Sequence, residues 1–405
     1  MKAADQMSPT ELRAAISLSS IFGLRLLGMF VILPVFAIYA EGLPGGDDLT
    51  LVGVAIGVYG LTQACLQIPF GWWSDRYGRK PVIYVGLAIF AAGSFIAALG
   101  INIWVVILGR MLQGAGAISA AVMAMTADLT REEHRTKAMA MIGSTIGAAF
   151  AASLVLSPWL NRVIGVPGIF AMIGVLVLLA MWVMYAVVPD VPAAPRRAAA
   201  NGLQQFAAVL RDRQLVRHYY GVFALHAVLM ALFIAVPLDL RAAGLPVDHH
   251  WQIYLPVMAG SFLLMLPAVL GPGQPRRAKA VFVGAVGVLL ANQLAMPWLS
   301  GSAWGIALFL LVFFAPFNVL EAVLPSLVSR LAPGDSRGAA IGVFASLQFF
   351  GTFLGAAAGG YLYGRWGTTG IVILNAGLLV IWLMLAVGTR MPAPRSSGAG
   401  SAARV

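Results

Sequence analysis

Charged side chains are scarce in this 405-residue chain: Asp, Glu, Lys and Arg make up only 10% of it, against roughly a quarter of a typical soluble domain. Cysteine occurs once, at Cys65, so the sequence supports neither a disulfide framework nor a thiolate metal site. It also contains no serine–histidine–acid set, no metal-spaced His/Cys cluster and no phosphate-binding glycine loop. We therefore expect neither an enzyme nor an ATP-driven pump, and we expect no metal ion or cofactor.

Apolar residues are what the chain has in abundance, at 60% of the sequence. They form about twelve segments, each near the roughly 20 residues that a helix needs to cross a bilayer. A soluble protein could not cover that much apolar surface, so we predict an all-α membrane protein. The expected spans are residues 14–40, 50–74, 80–99, 103–127, 137–160, 167–188, 218–240, 251–270, 279–298, 303–329, 338–363 and 367–388.

The formal net charge of +11 could indicate a nucleic-acid surface, so the positions of the basic residues matter. Roughly 21 of the 26 Lys and Arg fall in alternate connections, which the positive-inside rule assigns to the cytoplasm. The other connections hold Arg162, Arg241 and Arg365. We therefore predict a multi-pass protein of the inner (plasma) membrane with both termini in the cytoplasm, surrounded by lipid and not bound to nucleic acid.

A long polar stretch near the middle of the chain divides the predicted spans six and six. The expected domains are a six-helix half at 1–188, a cytoplasmic linker at 189–217, a second six-helix half at 218–390 and a disordered cytoplasmic tail at 391–405. Two such parallel halves, with the substrate site between them near the bilayer midplane, are typical of secondary transporters.

One short loop carries four charges in ten residues: Gly71-Trp-Trp-Ser-Asp75-Arg76-Tyr-Gly78-Arg79-Lys80. The segments on both sides, 51–70 and 81–109, hold no charge. Gly78 can adopt the positive φ that a tight turn requires. The ordered set of glycines, acid and bases resembles the loop between helices 2 and 3 of the major facilitator superfamily, a group of secondary transporters. Residues 271–279 repeat the glycines and bases in the second half but lack the acid.

This resemblance implies a conformational latch at the cytoplasmic surface. In the family, a cluster of this kind locks the outward-facing state. Asp128 ends the predicted fourth helix and would lie near the loop if the second and fourth helices are neighbours. The residues of the implied latch are Gly71, Asp75, Gly78, Arg79, Lys80 and Asp128.

Helix 4 carries a second resemblance, because Arg110-Met-Leu-Gln113-Gly-Ala-Gly116 is similar to the intramembrane arginine motif of the same family. A charge near the middle of the bilayer costs about 2.5–3.5 kcal/mol on insertion scales, so Arg110 should face a polar interior or a partner. Gln113 lies one turn further and shares that face.

Small residues recur in helices 5 and 11. Gly143-Ser-Thr-Ile-Gly147-Ala148 resembles the glycine-proline motif of proton-coupled exporters, but Ala148 stands where the proline is expected. This difference weakens the case for antiport, and we expect Gly143 and Gly147 to serve helix packing. Gly351 and Gly355 are spaced for the same packing role.

The resemblance is closest to the YajR-type members of the drug:proton antiporter group. It rests on residues 17–34, 224–230 and 316–327 and runs through almost the whole chain. That group commonly carries an additional soluble domain at its C-terminus, and we expect none after residue 390. It implies the twelve-helix major facilitator fold and transport by alternating access.

Glu321 is the one acid that the sequence places deep in a predicted span. A carboxyl group in a low dielectric can bind and release a proton near neutral pH, which makes Glu321 a candidate for proton coupling. The alternative is a permanent ion pair with Arg25 or Arg110. His226 is a second candidate, although a lone histidine on an apolar helix is more often only hydrogen-bonded. Arg25 cannot carry the proton itself and would tune a nearby acid or attract an anion.

By resemblance, the walls of a substrate cavity would come from helices 1, 4, 7 and 10. Methionine and aromatic side chains there would form an adaptable apolar surface, and few polar groups are available for a sugar. The expected lining residues are Met29, Ile32, Phe36, Gln113, Met230, Phe233, Phe314, Phe317 and Asn318.

Together these patterns predict a monomeric, proton-coupled exporter of hydrophobic or amphipathic small molecules. Two alternatives stay open at this point. One is a proton symporter that imports a small metabolite. The other is a sensor or scaffold with the same fold that transports nothing, although the complete loop motif at 71–80 and the intramembrane charges speak against it.

Overall fold

The protein is all-α in the parts that the structure, a computed structural model, describes: residues 7–190, 202–270, 275–333 and 336–389. The prediction of an all-α membrane protein is confirmed. The tail at 391–405 and residues 271–274 of the repeated loop lie outside these ranges. The helices are α1 (Pro9–Phe30), α2 (Leu33–Ala40), α3 (Leu49–Tyr77), α4 (Arg79–Ala98), α5 (Ile103–Ala115), α6 (Ser119–Asp128), α7 (Glu132–Ala186), α8 (Gly202–Arg211), α9 (Arg213–Ala242), α10 (Trp251–Leu270), α11 (Pro275–Leu299), α12 (Ala303–Leu331) and α13 (Arg337–Val387).

Two of these helices are far longer than a bilayer crossing and turn back on themselves. Among the described residues, ten helical stretches are long and apolar enough to span a membrane, with α1 and α2 joined in one and α5 and α6 in another. In α7 the helix breaks at Gly165, and in α13 it breaks at Gly367, each with a positive φ (67° and 55°). Each of the two therefore supplies two spans, which gives the expected twelve.

The reversal is visible in the packing on either side of each glycine. In α13, a Cβ added to Gly370 would lie 2.4 Å from the carbonyl oxygen of Leu362. In α7, the Ser153 hydroxyl faces the carbonyl of Leu27 in α1, while Ile173 lies against Gly28 one residue further along α1. The first half (α1–α7) and the second half (α9–α13) thus end in the same kind of helical hairpin, as expected for a repeat.

Polar residues at the helix starts define the boundaries. Asp48, Asn102, Asp212 and Ser302 each accept a hydrogen bond from a backbone N–H in the first turn of the following helix, which satisfies a donor that has no partner inside the helix. The predicted linker at 189–217 contains α8 and the start of α9, so α9 begins earlier than the predicted 218.

The two halves meet closely along α3 and α13. A Cβ added to Gly53 would lie 2.2 Å from the carbonyl oxygen of Ala356, and one added to Gly360 would lie 2.1 Å from that of Leu49. Such contacts are possible only between glycine-lined helices. Because the seam involves the start of α3 and the middle of α13, it lies at one end of the molecule.

An ion pair closes the same end. Arg241 of α9 binds Glu41, which follows α2, with N–O distances of 2.6 and 2.8 Å. Loop charges predict that this end faces away from the cytoplasm, and we call it the outer end. The orientation of the termini themselves stays a prediction.

Candidate functional site

A cavity of about 380 Å³ lies between the two halves. The first half contributes side chains from α1 and α7, and the second half contributes side chains from α9, α10, α12 and α13. Most of the wall is apolar, with several aromatic rings and methionines. The lining residues are Leu26, Met29, Phe30, Gly143, Ile146, Gly147, Phe150, His226, Leu229, Phe262, Met265, Phe317, Asn318, Glu321, Ala322, Gln348, Phe349 and Thr352.

Three polar side chains at the cavity, from three helices of the second half, form one group. Gln348 of α13 stands between His226 of α9 and Glu321 of α12. Its amide nitrogen lies 2.8 Å from His226 Nε2 and 3.5 Å from Glu321 Oε1. The Nε2 of His226 also lies 3.6 Å from Glu321 Oε2.

The three side chains differ in their access to the cavity. The side chain of Glu321 is 31% exposed, whereas that of His226 is 9% exposed. The Nδ1 of His226 faces the carbonyl oxygen of Val222 at 3.0 Å, inside its own helix. Both residues line the cavity, but Glu321 is the more accessible of the two to a solute.

Sequence reasoning missed Gln348, which is the central member of this group. In the predicted span 338–363 the sequence pattern indicated only Gly351 and Gly355. The available signal was a polar pair, Gln348 and Thr352, four residues apart in an otherwise apolar helix, a spacing that places both on one helix face.

The structure brings Met29, His226, Phe317, Asn318 and Glu321 together at the cavity, among the residues that the sequence predicted for the site. Asn318 also donates a hydrogen bond to the Ser261 hydroxyl of α10 at 3.2 Å.

Other predicted lining residues lie elsewhere, and for these the structure corrects the prediction. Ile32, Phe36 and Met230 are at most 1% exposed and are packed inside the helix bundle. Phe233 and Phe314 line a separate small void of about 20 Å³ between α7, α9, α10 and α12. Gln113 is fully buried in the first half and donates a hydrogen bond to Ser94. The spacing along each helix could not show which of its apolar faces points inward.

Gly143 and Gly147 also differ from the prediction that they pack helices. A Cβ added to either would meet no atom within 4 Å, because both glycines face the open cavity. Gly351 and Gly355 do lie at a close contact: a Cβ there would come within 2.3 and 2.1 Å of backbone oxygens of α9.

Arg25 and Arg110 lie in the first half, and neither lines the cavity. Each is 1% exposed. Arg25 donates to the Ser119 hydroxyl at 2.8 Å and to Gln63; Arg110 donates to Gln113 at 2.9 Å. Within the described part of the chain no acid pairs with either guanidinium.

The ring of Tyr59 lies near both charges. The guanidinium carbons of Arg25 and Arg110 are 5.8 and 5.0 Å from its centroid, a distance at which cation–π attraction is appreciable.

The neighbours of Glu321 are Gln348 and His226. The structure does not show the alternative, a permanent ion pair of Glu321 with Arg25 or Arg110.

Aromatic side chains join the halves beside the cavity. Phe150 of α7 lies 5.8 Å from Phe314 and 6.5 Å from Phe317, between ring centroids. Phe317 lies in turn 6.1 Å from the ring of His226. The polar group of the second half is thus in indirect contact with the first half through two phenylalanines.

The charged loop at 71–80 forms a compact cluster at the end of the molecule opposite Glu41. Arg79, at the start of α4, pairs with Asp75 of α3 and, at 3.0 Å, with Asp128 of α6. It also donates to the Ser74 hydroxyl at 2.9 Å. The turn is made by Gly78 with φ 99°, and Gly71 lies in ordinary contact with Ala120.

The next residue, Lys80, ties this cluster to the end of the first half. Its ammonium group lies 2.7 Å from a carboxylate oxygen of Asp190, which follows α7 and begins the connection between the halves. The implied latch residues are thus neighbours in space, within the first half.

Comparison with known proteins identifies the family. A model of the Major Facilitator Superfamily matches residues 18–319. The inner membrane transport protein YajR of Escherichia coli (strain K12) is 42% identical over 388 residues, covering 96% of this chain and 85% of that protein. The multidrug resistance protein MdtH of Cronobacter sakazakii (strain ATCC BAA-894) is 24% identical, over 89% of this chain and 91% of that one.

Among solved structures, a bacterial homolog of the human lysosomal transporter Spinster, in an inward-facing and occupied conformation, has a TM-score of 0.73 at 12% identity. The match covers 94% of this chain and 96% of that one. At this identity the likeness concerns the fold.

Proposed function

The chain belongs to the Major Facilitator Superfamily, and we propose that it is a proton-coupled exporter of hydrophobic or amphipathic small molecules that works by alternating access. It would act as a monomer in the inner membrane, where its relative YajR is named as a transport protein. The halves at 1–188 and 218–390 would move against each other about the connection at 189–217.

The observation that carries this proposal is the composition of the cavity wall. A space of about 380 Å³ suits a small organic molecule. Met29, Met265 and the phenylalanine rings can repack around solutes of different shape. A sugar or a similar polar metabolite would leave most of its hydroxyl groups without partners, which costs about 1–3 kcal/mol for each buried group. The drug-resistance name of MdtH agrees with an apolar substrate.

Proton coupling is supported by the two titratable groups at the cavity, Glu321 and His226. Antiport requires that a proton and the substrate compete for one site. Ionised Glu321, which is exposed to the cavity, would bind substrate well, and protonated Glu321 would bind it poorly. The alternation itself would involve the cluster of Asp75, Arg79 and Asp128 at one end and the Glu41–Arg241 pair at the other.

The test uses purified protein in proteoliposomes with an imposed pH gradient and ethidium as the probe. Ethidium carries a permanent charge, so a pH gradient alone does not concentrate it across the membrane. An acid interior should drive ethidium accumulation through an antiporter, and Glu321→Gln should abolish that accumulation. Glu132→Gln, an exposed acid at the start of α7, serves as the matched control and should behave as wild type.

The outcomes separate the competing functions. Accumulation driven by an acid exterior instead would indicate a symporter. Absence of any pH-driven flux for ethidium, and for neutral aromatic compounds and small metabolites tested in parallel, would favour the non-transporting alternative. Unchanged accumulation by Glu321→Gln would move proton coupling away from this residue.

A further inference from the structure

The hydrogen bonds around His226 define which of its ring nitrogens carries the proton. Nδ1 faces the carbonyl oxygen of Val222 at 3.0 Å, and a carbonyl can only accept, so Nδ1 carries a hydrogen. Nε2 faces the amide nitrogen of Gln348 at 2.8 Å, which can only donate. With Nε2 as the acceptor of the Gln348 N–H, both contacts fit the Nδ1–H tautomer of His226.

Gln348 uses the same amide nitrogen toward Glu321. Its second N–H points at Oε1 at 3.5 Å, so one amide group bridges a histidine lone pair and a carboxylate. The other carboxylate oxygen, Oε2, is buried without a hydrogen-bond partner among the described residues and lies 3.6 Å from His226 Nε2. A buried oxygen without a donor is costly, and here it faces a nitrogen that lacks a hydrogen.

We infer that His226, Gln348 and Glu321 form one unit that takes up a single proton between His226 Nε2 and Glu321 Oε2, with Gln348 as the positioning residue. The inference rests on the proposed proton coupling and names the residue that organises it. Before the unit takes up the proton, Gln348 donates to His226 Nε2 and keeps its lone pair oriented toward the amide. When a proton bonds to Nε2, that nitrogen becomes a donor to Oε2 and no longer accepts from Gln348, whose amide then donates to the Glu321 carboxylate alone.

Among the described residues, the cavity lining holds no other ionisable group facing this unit. Within the described lining, α1, α7 and α10 contribute only apolar side chains and glycine, and α13 contributes Gln348 and Thr352. Arg25 on α1 directs its guanidinium to Ser119 and Gln63 in the first half. The charge of the unit is therefore set by its own two titratable members.

The location of the unit also suggests how its protonation reaches the first half. All three members belong to the second half, so movement of the halves leaves their mutual geometry intact. Phe317 lies beside His226, one turn of helix before Glu321, and touches Phe150 of the first half. A changed position of Glu321 or Gln348 would therefore alter the packing of Phe317 against Phe150.

The experiment reads the histidine directly, by 15N NMR of the full chain with labelled histidine in lipid nanodiscs. The chain has five histidines, and His226→Asn assigns the signal. We expect a protonated Nδ1 and an unprotonated, hydrogen-bonded Nε2 in the wild type. Gln348→Met, similar in shape but without a donor, should move Nε2 to the position of a free ring nitrogen. Gln348→Glu, which presents only an acceptor at neutral pH, should place a proton on both nitrogens.

Transport provides the second measurement. In Gln348→Met, proton-driven ethidium accumulation should fall by about tenfold or more, while ethidium still moves down its own gradient. A purely structural role would reduce both movements together. Gln252→Met, at an exposed position in α10, is the matched control and should change neither.

The results distinguish this inference from the proposed function. A wild-type Nε2 that carries the proton at neutral pH, or a His226 spectrum unaffected by either substitution of Gln348, would overturn the role of Gln348. If Gln348→Met fails to fold, the wild-type spectrum and Gln348→Glu still decide it. If the spectra behave as expected but the wild type moves no substrate against a gradient with protons, the proposed function fails instead.

Discussion

At the scale of single residues, several polar side chains inside this membrane protein have partners on other helices. Arg25 binds Ser119 and Gln63, and Asn318 binds Ser261. Asp239, a buried acid that sequence reasoning overlooked, accepts from the Tyr363 hydroxyl at 2.7 Å. In hydrocarbon an unpaired polar group has no water to bind, so such contacts fix how neighbouring helices face each other.

Glycines in this fold have two different uses, and only one concerns packing. Gly355 lets α13 touch α9, whereas Gly147 faces the cavity with open space where a side chain would be. A side chain at position 147 would therefore occupy part of the cavity, without straining the helix.

We predict that Gly147→Leu narrows the cavity and selectively reduces transport of large substrates. Leucine is also a better helix former than glycine by roughly 1 kcal/mol, so the protein should remain folded. The measurement is the rate of transport for a series of solutes of increasing size. Gly284→Leu, at an exposed glycine of α11 that likewise has no neighbour within 4 Å, is the control. Equal loss for small and large solutes would contradict the role of Gly147 in the cavity wall.

At the scale of helices, the contacts of α3 are divided between its two ends. Its first residues form the glycine seam with α13, and its last residues, with Asp75, join the cluster at Arg79. Because one helix carries both sets of contacts, we expect a shift at the outer end to reach the loop at 71–80.

We predict that Asp75→Asn largely abolishes transport while the amount of protein in the membrane stays at the wild-type level. The Asp75 side chain is 65% exposed, and a surface ion pair contributes under about 1 kcal/mol, so loss of the fold is not expected. Loss of the ion pair should instead change the stability of the outward-facing state relative to the inward-facing one. Transport and abundance should be measured in the same membranes, with Glu132→Gln as a control; normal transport by Asp75→Asn would remove this cluster from the mechanism.

At the scale of the whole molecule, the outer end is held closed by contacts between the halves. The Glu41–Arg241 pair joins the halves, and next to Arg241, within the second half, Asp239 binds Tyr363 and Thr368 of α13. The glycine seam of α3 and α13 lies at the same end. Under the proposed alternating access, these contacts would separate the cavity from the outer surface in one state of the cycle.

We predict that Glu41→Gln shifts the protein toward states open at the outer end. Loss of about 1 kcal/mol would change the ratio of the two states about fivefold. The measurement is labelling of Ala322→Cys, a cavity position, by an impermeant maleimide added outside cells, with Cys65→Ser as background. Labelling should rise in Glu41→Gln.

The charge-swapped pair Glu41→Arg with Arg241→Glu is the control for this prediction. It restores an ion pair of opposite sense and should return labelling to the wild-type level. If the swapped pair labels like Glu41→Gln, the effect does not come from the ion pair.

The sequence alone determined that the chain is helical, how many apolar spans it has and roughly where each span lies. The bilayer sets a minimum length for an apolar span, and a turn with positive φ, such as the one at Gly78, favours glycine. Both features therefore depend on residues near one another in the chain. The predicted span 103–127, for example, corresponds to Ile103–Asp128. The cluster of Asp75, Arg79 and Asp128 could also be predicted. The resemblance to a known family implied that the predicted spans 50–74 and 103–127 are neighbours.

Only the tertiary structure decided which faces of the helices meet. In a soluble protein the buried face is the apolar one, but in a membrane the lipid-facing and protein-facing sides are both apolar. Sequence spacing therefore could not show that Gly147 faces the cavity or that Phe36 is packed away from it. Nor could it show that Arg25 binds Ser119 and Gln63 and not Glu321. The meeting of His226, Gln348 and Glu321 depends on the rotation of three separate helices, and that rotation is set by the packing of the assembled bundle.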